Sequence, residues 1–394
     1  MRIYFLVVGL IATSIIAGCA GVSRQEAVPK YLTTQAVVPG MENVRYRVGI
    51  DTEAIIKDGR ESFWREMEYL KAKGHKGPLP PVNFLVISGG GDHGAFGAGL
   101  LNGWTIAGNR PEFKIVTGVS TGALIAPFAF LGSAYDARLK KLYTTLSPED
   151  IIRKRSILSA ITSDAMADNS PLWQLIEKEV DESLLKAIAA EHEKGRILLV
   201  STVDLDARHS VIWNLTKIAA SGDPKALNLF RSIMIASAAI PGAFPPVMID
   251  VEANGGSYQE MHVDGGTMSQ LFIYPPRLHV KEQSVKGHVV RDRYAYIIRI
   301  AKLTPQWASV ERQTMSIAER AISSLIQTQG IGDLYRVYLI TQRDGVDYNL
   351  AYVPENFNAP HREEFDTEYM RALFQVGYDM AVKGYPWSKT PPGF

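Results

Sequence analysis

Apolar residues along this chain come in short runs bounded by glycine and proline, separated by stretches with helical spacing. Residues 83–87 (Asn-Phe-Leu-Val-Ile), between Pro81 and Gly89, have the length and apolar density of a strand buried on both faces of a parallel sheet. A Gly-rich turn and a helical stretch follow. Residues 113–117 repeat the plan as a strand, with 118–122 as the turn and 123–131 as a helix despite Pro127. Two strand–turn–helix units in succession predict a parallel sheet. Further strands are expected at 197–201, 210–213 and 294–300, interleaved with helices over 171–192 and 227–238. The fold class is therefore α/β, a three-layer helix–sheet–helix arrangement around a mainly parallel central sheet.

Outside this core the pattern is weaker. Residues 19–81 are polar and interrupted by Pro29, Pro39 and Pro78, with one good helix over 51–73, and read as a tether plus one packed helix. Residues 82–302 carry the α/β pattern. Residues 303–394 read as an extension packed on it: a helix over 308–329, a hairpin-like 337–352 and an amphipathic helix over 362–382. In 151–158, apolar residues surround Arg153, Lys154 and Arg155, the pattern of a membrane-facing cap.

The first residues change the picture of where the chain works. Arg2 precedes an apolar run from Ile3 to Ile16 and then small residues, the pattern of an export signal over 1–18. The run is shorter than the ~20 residues of a membrane-spanning helix. Ile16-Ala17-Gly18-Cys19 resembles a bacterial lipobox, whose cysteine receives a diacylglyceryl group, and Cys19 is the only cysteine in the chain. With Ala20 following it, the resemblance implies lipid anchoring at the outer membrane, facing the periplasm. Lys and Arg number 42 against 41 Asp and Glu, so no broad field favours nucleic acid as a partner.

Three motifs carry chemistry. Gly118-Val119-Ser120-Thr121-Gly122 matches the G-x-S-x-G elbow, which exposes a serine hydroxyl at a tight strand-to-helix turn. Ser88-Gly89-Gly90-Gly91-Asp92-His93-Gly94 follows the first core strand, and its glycines leave backbone amides open to a developing oxyanion. Gly89, Gly91 and Gly94 also satisfy G-x-G-x-x-G, so a dinucleotide turn is a rival, although the serine elbow on the next strand is foreign to it. Asp264-Gly265-Gly266 places a carboxylate at a strand end beside two residues that permit close approach.

Together these motifs resemble the patatin-like phospholipases, and the block over 236–247 (Ala-Ser-Ala-Ala-Ile-Pro-Gly-Ala-Phe-Pro-Pro-Val) resembles the segment preceding the family's aspartate. The resemblance spans roughly residues 82–300. It implies a Ser–Asp dyad in which Asp264 takes the proton from Ser120, an acyl-enzyme intermediate, and an oxyanion loop of Gly89, Gly90, Gly91 and Gly94. Gly118, Gly122, Gly265 and Gly266 support the motifs. His93 stands where the family usually has Arg or Lys, with a supporting role expected for it. An acyl-ester lipid such as a phospholipid is the implied substrate, and neither cofactor nor metal is needed; Asp204, Asp206 and His209 form no strong ligand pattern. Two other readings stay open: a Ser-His-Asp esterase using His279, His288 or His361, and a non-catalytic lipid-binding envelope lipoprotein.

Overall fold

A computed structural model describes residues 24–154 and 164–394 of the chain. The expected signal and Cys19, as well as residues 155–158 of the expected cap, lie outside the described residues.

Strand β1 (Arg45–Arg47) and helix α1 (Thr52–Ala72) precede the core. The two strand–turn–helix units follow as β2 (Val82–Ile87), α2 (Gly94–Ile106), β3 (Ile115–Val119) and α3 (Thr121–Leu131), then α4 (Asp136–Thr144). A two-stranded β4 (Arg153–Lys154) and β5 (Ala167–Asp168) pair leads to α5 (Ser170–Glu179) and α6 (Glu182–Glu193). Next come β6 (Ile197–Asp204), β7 (His209–Asn214), α7 (Leu215–Ala220), α8 (Ala226–Ser237), β8 (Val247–Ala253) and β9 (Gly256–Asp264). The chain ends with α9 (Val280–Lys286), β10 (Arg293–Arg299), α10 (Thr314–Asp344), β11 (Asp347–Tyr352) and α11 (Thr367–Val382).

Among the described residues nine strands form one sheet, in the order β1-β7-β6-β3-β2-β10-β11 with the β8–β9 hairpin joined through β6. The run β6-β3-β2-β10-β11 is parallel, and β1, β7 and the hairpin are antiparallel additions. Alternate residues of β2 serve opposite layers. Leu85 and Ile87 pack with α2, α3, α8 and α11, whereas Phe84 and Val86 pack with Leu334, Val337 and Ile340 of α10. Both faces are covered, which is why the strand reads as an unbroken apolar run.

Several expectations shift. β3 starts two residues late, so Gly118 belongs to the strand and the turn narrows to Ser120. The helix expected over 171–192 is two, because Val180 leaves helical geometry and the Asp181 carboxylate caps the second through the Leu184 N–H at 2.8 Å. There is no hairpin over 337–352: α10 runs on to Asp344, Gly345 caps it in the left-handed conformation (φ 65°), and β11 pairs parallel with β10. The last helix starts at Thr367 because the Asp366 carboxylate accepts from the N–H groups of Glu368 and Tyr369. The β8–β9 hairpin was not anticipated.

The flanks are integral to the core. Residues 24–47 are more than a tether, since Val28, Leu32, Val38, Met41, Val44 and Tyr46 are buried and β1 pairs with β7. At the other end β11 completes the sheet across position 302. Helix α11 crosses α2 backbone to backbone: a Cβ on Gly99 would lie 2.0 Å from Phe374 O, and one on Gly103 2.3 Å from Tyr378 O.

Gly99→Ala is therefore expected to destabilise the protein by about 1–3 kcal/mol through overpacking. Gly332→Ala, in α10 with nothing within 4 Å of the new methyl, should stabilise it by about 0.5–1 kcal/mol. Chemical denaturation of both variants checks the pair, and equal effects would contradict this account of the α2–α11 contact.

Candidate active site

Ser120 follows β3 at the N-cap of α3 with φ 56° and ψ −128°, a backbone conformation that an L-residue adopts only when its surroundings impose it. The imposing contacts are specific. A Cβ on Gly118 would stand 2.4 Å from Gly122 O, and one on Gly122 2.4 Å from Ile87 O, so neither position tolerates a side chain. Ser237, at the end of α8, fastens the turn. Its hydroxyl accepts from Ser120 N at 3.0 Å and donates to Ser201 O at 2.8 Å.

Asp264 reaches the same place along a different strand. β3 pairs with β6 as far as Val119 opposite Ser201, and from the next residue the hairpin takes over, with Asp264 opposite Thr202. The carboxylate accepts from Gly266 N at 2.7 Å, and the nearby Ser120 hydroxyl draws its pKa down. Asp264 is 4% exposed. Burial pushes its carboxyl up to about 7, against the opposing pull of the Ser120 hydroxyl and the Gly266 N–H. Gly265 is needed where it stands, since a Cβ there would meet Ser201 O at 2.5 Å.

The Gly-rich loop passes directly beside the elbow: a Cβ on Gly89 would lie 3.1 Å from Ser120 Cβ. The four expected loop glycines divide. Gly89 N donates to Gln270 O at 3.0 Å, and Gly94 N bonds back into its own turn. Gly91 lines the pocket beside Ser120, and Gly90 is pressed onto Ile300, whose carbonyl oxygen would be 2.2 Å from an added Cβ. Sequence reasoning singled out neither Gln270 nor Ser237 as a brace. Ser237 lies within the quoted 236–247 block, whereas no pattern marks Gln270, whose Nε2 donates to Gly266 O at 3.0 Å.

His93 turns away from Ser120. Its Nε2 meets the Tyr369 hydroxyl at 2.8 Å, and its Nδ1 lies 3.3 Å from Asp92. Asp92 also receives His361 Nε2 at 2.7 Å and Phe365 N at 3.0 Å, so the loop after Gly91 is bound to the segment leading into α11. Asp92, His361 and Glu364 bring donor atoms within 4.8 Å of one another and are the described residues best placed to hold a cation. Asp204 instead accepts from Asp206 N in a tight turn. His279 and His288 are exposed, His279 beside Glu282.

A mainly apolar cavity of about 80 Å³ opens from Ser120, walled by Leu124, Phe128, Leu142, Leu172, Ile176 and Phe244 among others. Tyr143, hydrogen-bonded to Thr121 at 2.8 Å, closes one side. A hydroxyl, an adjoining carboxylate, open amides and an apolar slot suit the handling of a fatty-acyl group.

The family comparison points the same way. The family model described as patatin-like phospholipase matches residues 85–276. Those residues are a patatin-like phospholipase domain. The patatin-like family is one of lipid acyl hydrolases, and the mostly parallel sheet between helical layers is its fold. Among solved structures the chain is similar to VipD from Legionella pneumophila, with 10% identity and a TM-score of 0.36, covering 77% of this chain and 66% of that one. This chain thus spans just under two-thirds of VipD's length. No curated protein sequence matches. The patatin-like match ends before β10, so the partners of Asp92 and His93 in 361–369 lie beyond it.

The Asp264 carboxyl has a definite consequence for stability. Unfolded, it titrates near 3.8; folded, near 7. Between those values the native state holds a proton that the unfolded state has lost, so this group's contribution to stability falls as pH rises from about 4 to 7. Asp264→Asn keeps an acceptor for Gly266 N and removes the charge. It is expected to raise the melting temperature at pH 8, by an amount corresponding to no more than about 4 kcal/mol, and to leave it nearly unchanged at pH 4. Calorimetry at the two pH values decides it.

Proposed function

We propose that the chain is a serine lipid-acyl hydrolase of the phospholipase A or lysophospholipase type, acting through a Ser120–Asp264 dyad. The carrying observation is that the exchange of partners on β6 brings Asp264, 4% exposed and fastened by Gly266 N, beside Ser120, where burial pushes its carboxyl up to about 7. A base with that affinity accepts the hydroxyl proton as the alkoxide attacks an ester carbonyl, and releases it to the leaving alcohol. Water then repeats the cycle on the acyl-enzyme. The developing oxyanion falls to the amides of Gly90 and Gly91, since Gly89 and Gly94 have committed theirs. The apolar cavity takes the acyl chain.

A Ser-His-Asp relay finds no support in this geometry. Among the described residues no histidine is bonded to the Asp264 side chain, which accepts from Gly266 N, and His361 is engaged by Asp92. A purely lipid-binding role leaves the strained elbow and the uncompensated buried carboxyl without a purpose. We further assign the chain to the bacterial envelope, anchored through acylated Cys19, so that Cys19→Ser moves it from the membrane to the soluble fraction of cells.

Ser120→Ala and Asp264→Asn are expected to lower fatty-acid release from defined phospholipids by at least about a thousandfold, whereas His279→Ala and His288→Ala retain most of it. Because the base must be ionised, kcat/KM should rise with pH through about 7 and level off above it. A serine-reactive fluorophosphonate should label the folded protein at Ser120. Full activity in Ser120→Ala, or abolition by either histidine change, overturns the dyad.

A further inference from the structure

Helix α10 is built the wrong way round at its start. Its buried residues begin at Gly330; before that, over 314–329, it stands out from the body. At 100° per residue, Met315, Ile317, Ala318, Ala321, Ile322, Leu325 and Ile326 occupy roughly half of the circumference, with Ser316, Glu319, Arg320, Ser323 and Gln327 opposite. A surface helix ordinarily turns the apolar half to the core. Here the polar half faces inward: Gln327 Nε2 donates to Lys302 O at 3.2 Å and to Leu303 O at 3.0 Å, and the Arg320 guanidinium donates to Gln306 O.

The apolar half is consequently left in water, with Leu325 70%, Met315 52%, Ile317 51% and Ile322 49% exposed. The irregular segment before the helix adds two more exposed apolar side chains, Trp307 at 89% and Val310 at 42%. Exposed apolar side chains gathered in one short stretch of chain mark an interaction site.

Its place in the fold identifies the partner. β10 and β11 are parallel and α10 returns between them, so the start of α10 lies at the carboxyl ends of the strands. That is the end carrying Ser120 after β3 and the Gly-rich loop after β2, and Gly90 lies against Ile300, two residues before Lys302. The patch and the reactive serine therefore share one rim of the molecule. We propose that residues 304–326 dock this rim on a lipid bilayer, lying in its interface and delivering the site to substrate in the membrane.

The features fit a bilayer better than a second copy of the chain. The patch bends from a helix onto an irregular segment, so it offers no straight seam for a matching helix, whereas a bilayer imposes no register. A tryptophan at the tip suits the headgroup boundary, where an indole keeps its ring in apolar surroundings and its N–H in water. Among the described residues no helix is long and apolar enough to cross a membrane, which fits a segment lying on the surface.

The proposal takes the lipid-hydrolase reading as its starting point, and its test is independent of catalysis. The full chain carrying Ser120→Ala and Cys19→Ser, so that neither turnover nor acylation contributes, is sedimented with vesicles of phosphatidylethanolamine and phosphatidylglycerol. Adding Trp307→Ser, Ile322→Ser and Leu325→Ser should weaken vesicle partition by about tenfold or more, with an unchanged circular-dichroism melt. Trp307→Ser alone, in an irregular exposed segment, should give a smaller drop in the same direction even if the triple change disturbs α10. Equal partition of all three proteins overturns the proposal. Equal partition together with loss of a dimer on gel filtration assigns the patch to a second copy instead. In the Ser120-containing chain the same changes should slow vesicle hydrolysis and spare a soluble short-chain ester; absence of activity on both would count against the hydrolase reading while leaving the sedimentation result standing.

Discussion

The meeting of a serine hydroxyl and an uncompensated buried carboxylate depends on one exchange of partners along β6. Up to Ser201 that strand is bordered by β3, and from Thr202 onward by β9. The ends of two strands far apart in sequence thereby become neighbours on one edge: Ser120 is the residue that follows β3, and Asp264 is the last of β9. Backbone register sets their proximity, and this is more dependable than side-chain reach, because sliding either strand would disrupt its whole ladder. The braces follow from the same junction. Ser237 ties Ser120 N to Ser201 O, and Gly265 passes close against that same carbonyl.

Behind the junction a buried polar chain holds β9 in place. The His262 ring lies between Thr202 Oγ1 at 2.8 Å and Glu260 at 3.1 Å, and Trp213 Nε1 donates to the same threonine. Glu260 pairs with Arg45, whose guanidinium stacks over Trp213. The amino-terminal segment is thus attached to the strand that ends in Asp264, as 361–369 is attached to the loop that ends in His93. Both flanks reach the centre through hydrogen-bonded side chains. The patatin-like match over 85–276 delimits the chemistry more narrowly than the structure that supports it.

How much of this was legible follows from the range of the interactions. The elbow and the Gly-rich loop leave a readable pattern because the residues that must be small fall close together in sequence, although the atom that excludes a side chain from Gly122 is Ile87 O on the neighbouring strand. The parallel strands were legible because both faces of β2 are covered, so that period carries no polar signal. The β8–β9 hairpin was legible and was overlooked: Val247–Ala253 alternates buried and exposed residues and Asn254-Gly255, both with positive φ, is a strong hairpin turn. The false hairpin over 337–352 arose because the apolar residues of α10 change face near Gly330, breaking one helix into two apparent periods. Ser237 and Gln270 act only through tertiary contact, and such a role has no sequence spacing. The exchange on β6 is likewise invisible until strand order is known.

Asp92 and Asp264 show why position alone does not assign a carboxylate its role. Both are buried, at 1% and 4% exposure, and both sit at the carboxyl end of the sheet. Burial would raise either one. At Asp92 that effect is overcome by hydrogen bonds from His361 and His93, which hold the carboxyl well below the usual range; the result is a permanent anion committed to fastening the loop. At Asp264 the opposing groups are a hydroxyl and one amide, both neutral, so burial prevails and the carboxyl rises to about 7. A carboxylate that accepts from two imidazoles is a poor proton acceptor, and one faced only by a hydroxyl and an amide is a good acceptor that costs stability when ionised. The fold therefore places the imidazoles of His93 and His361 next to the carboxylate that holds the loop and leaves Asp264, the base of the proposed dyad, without one.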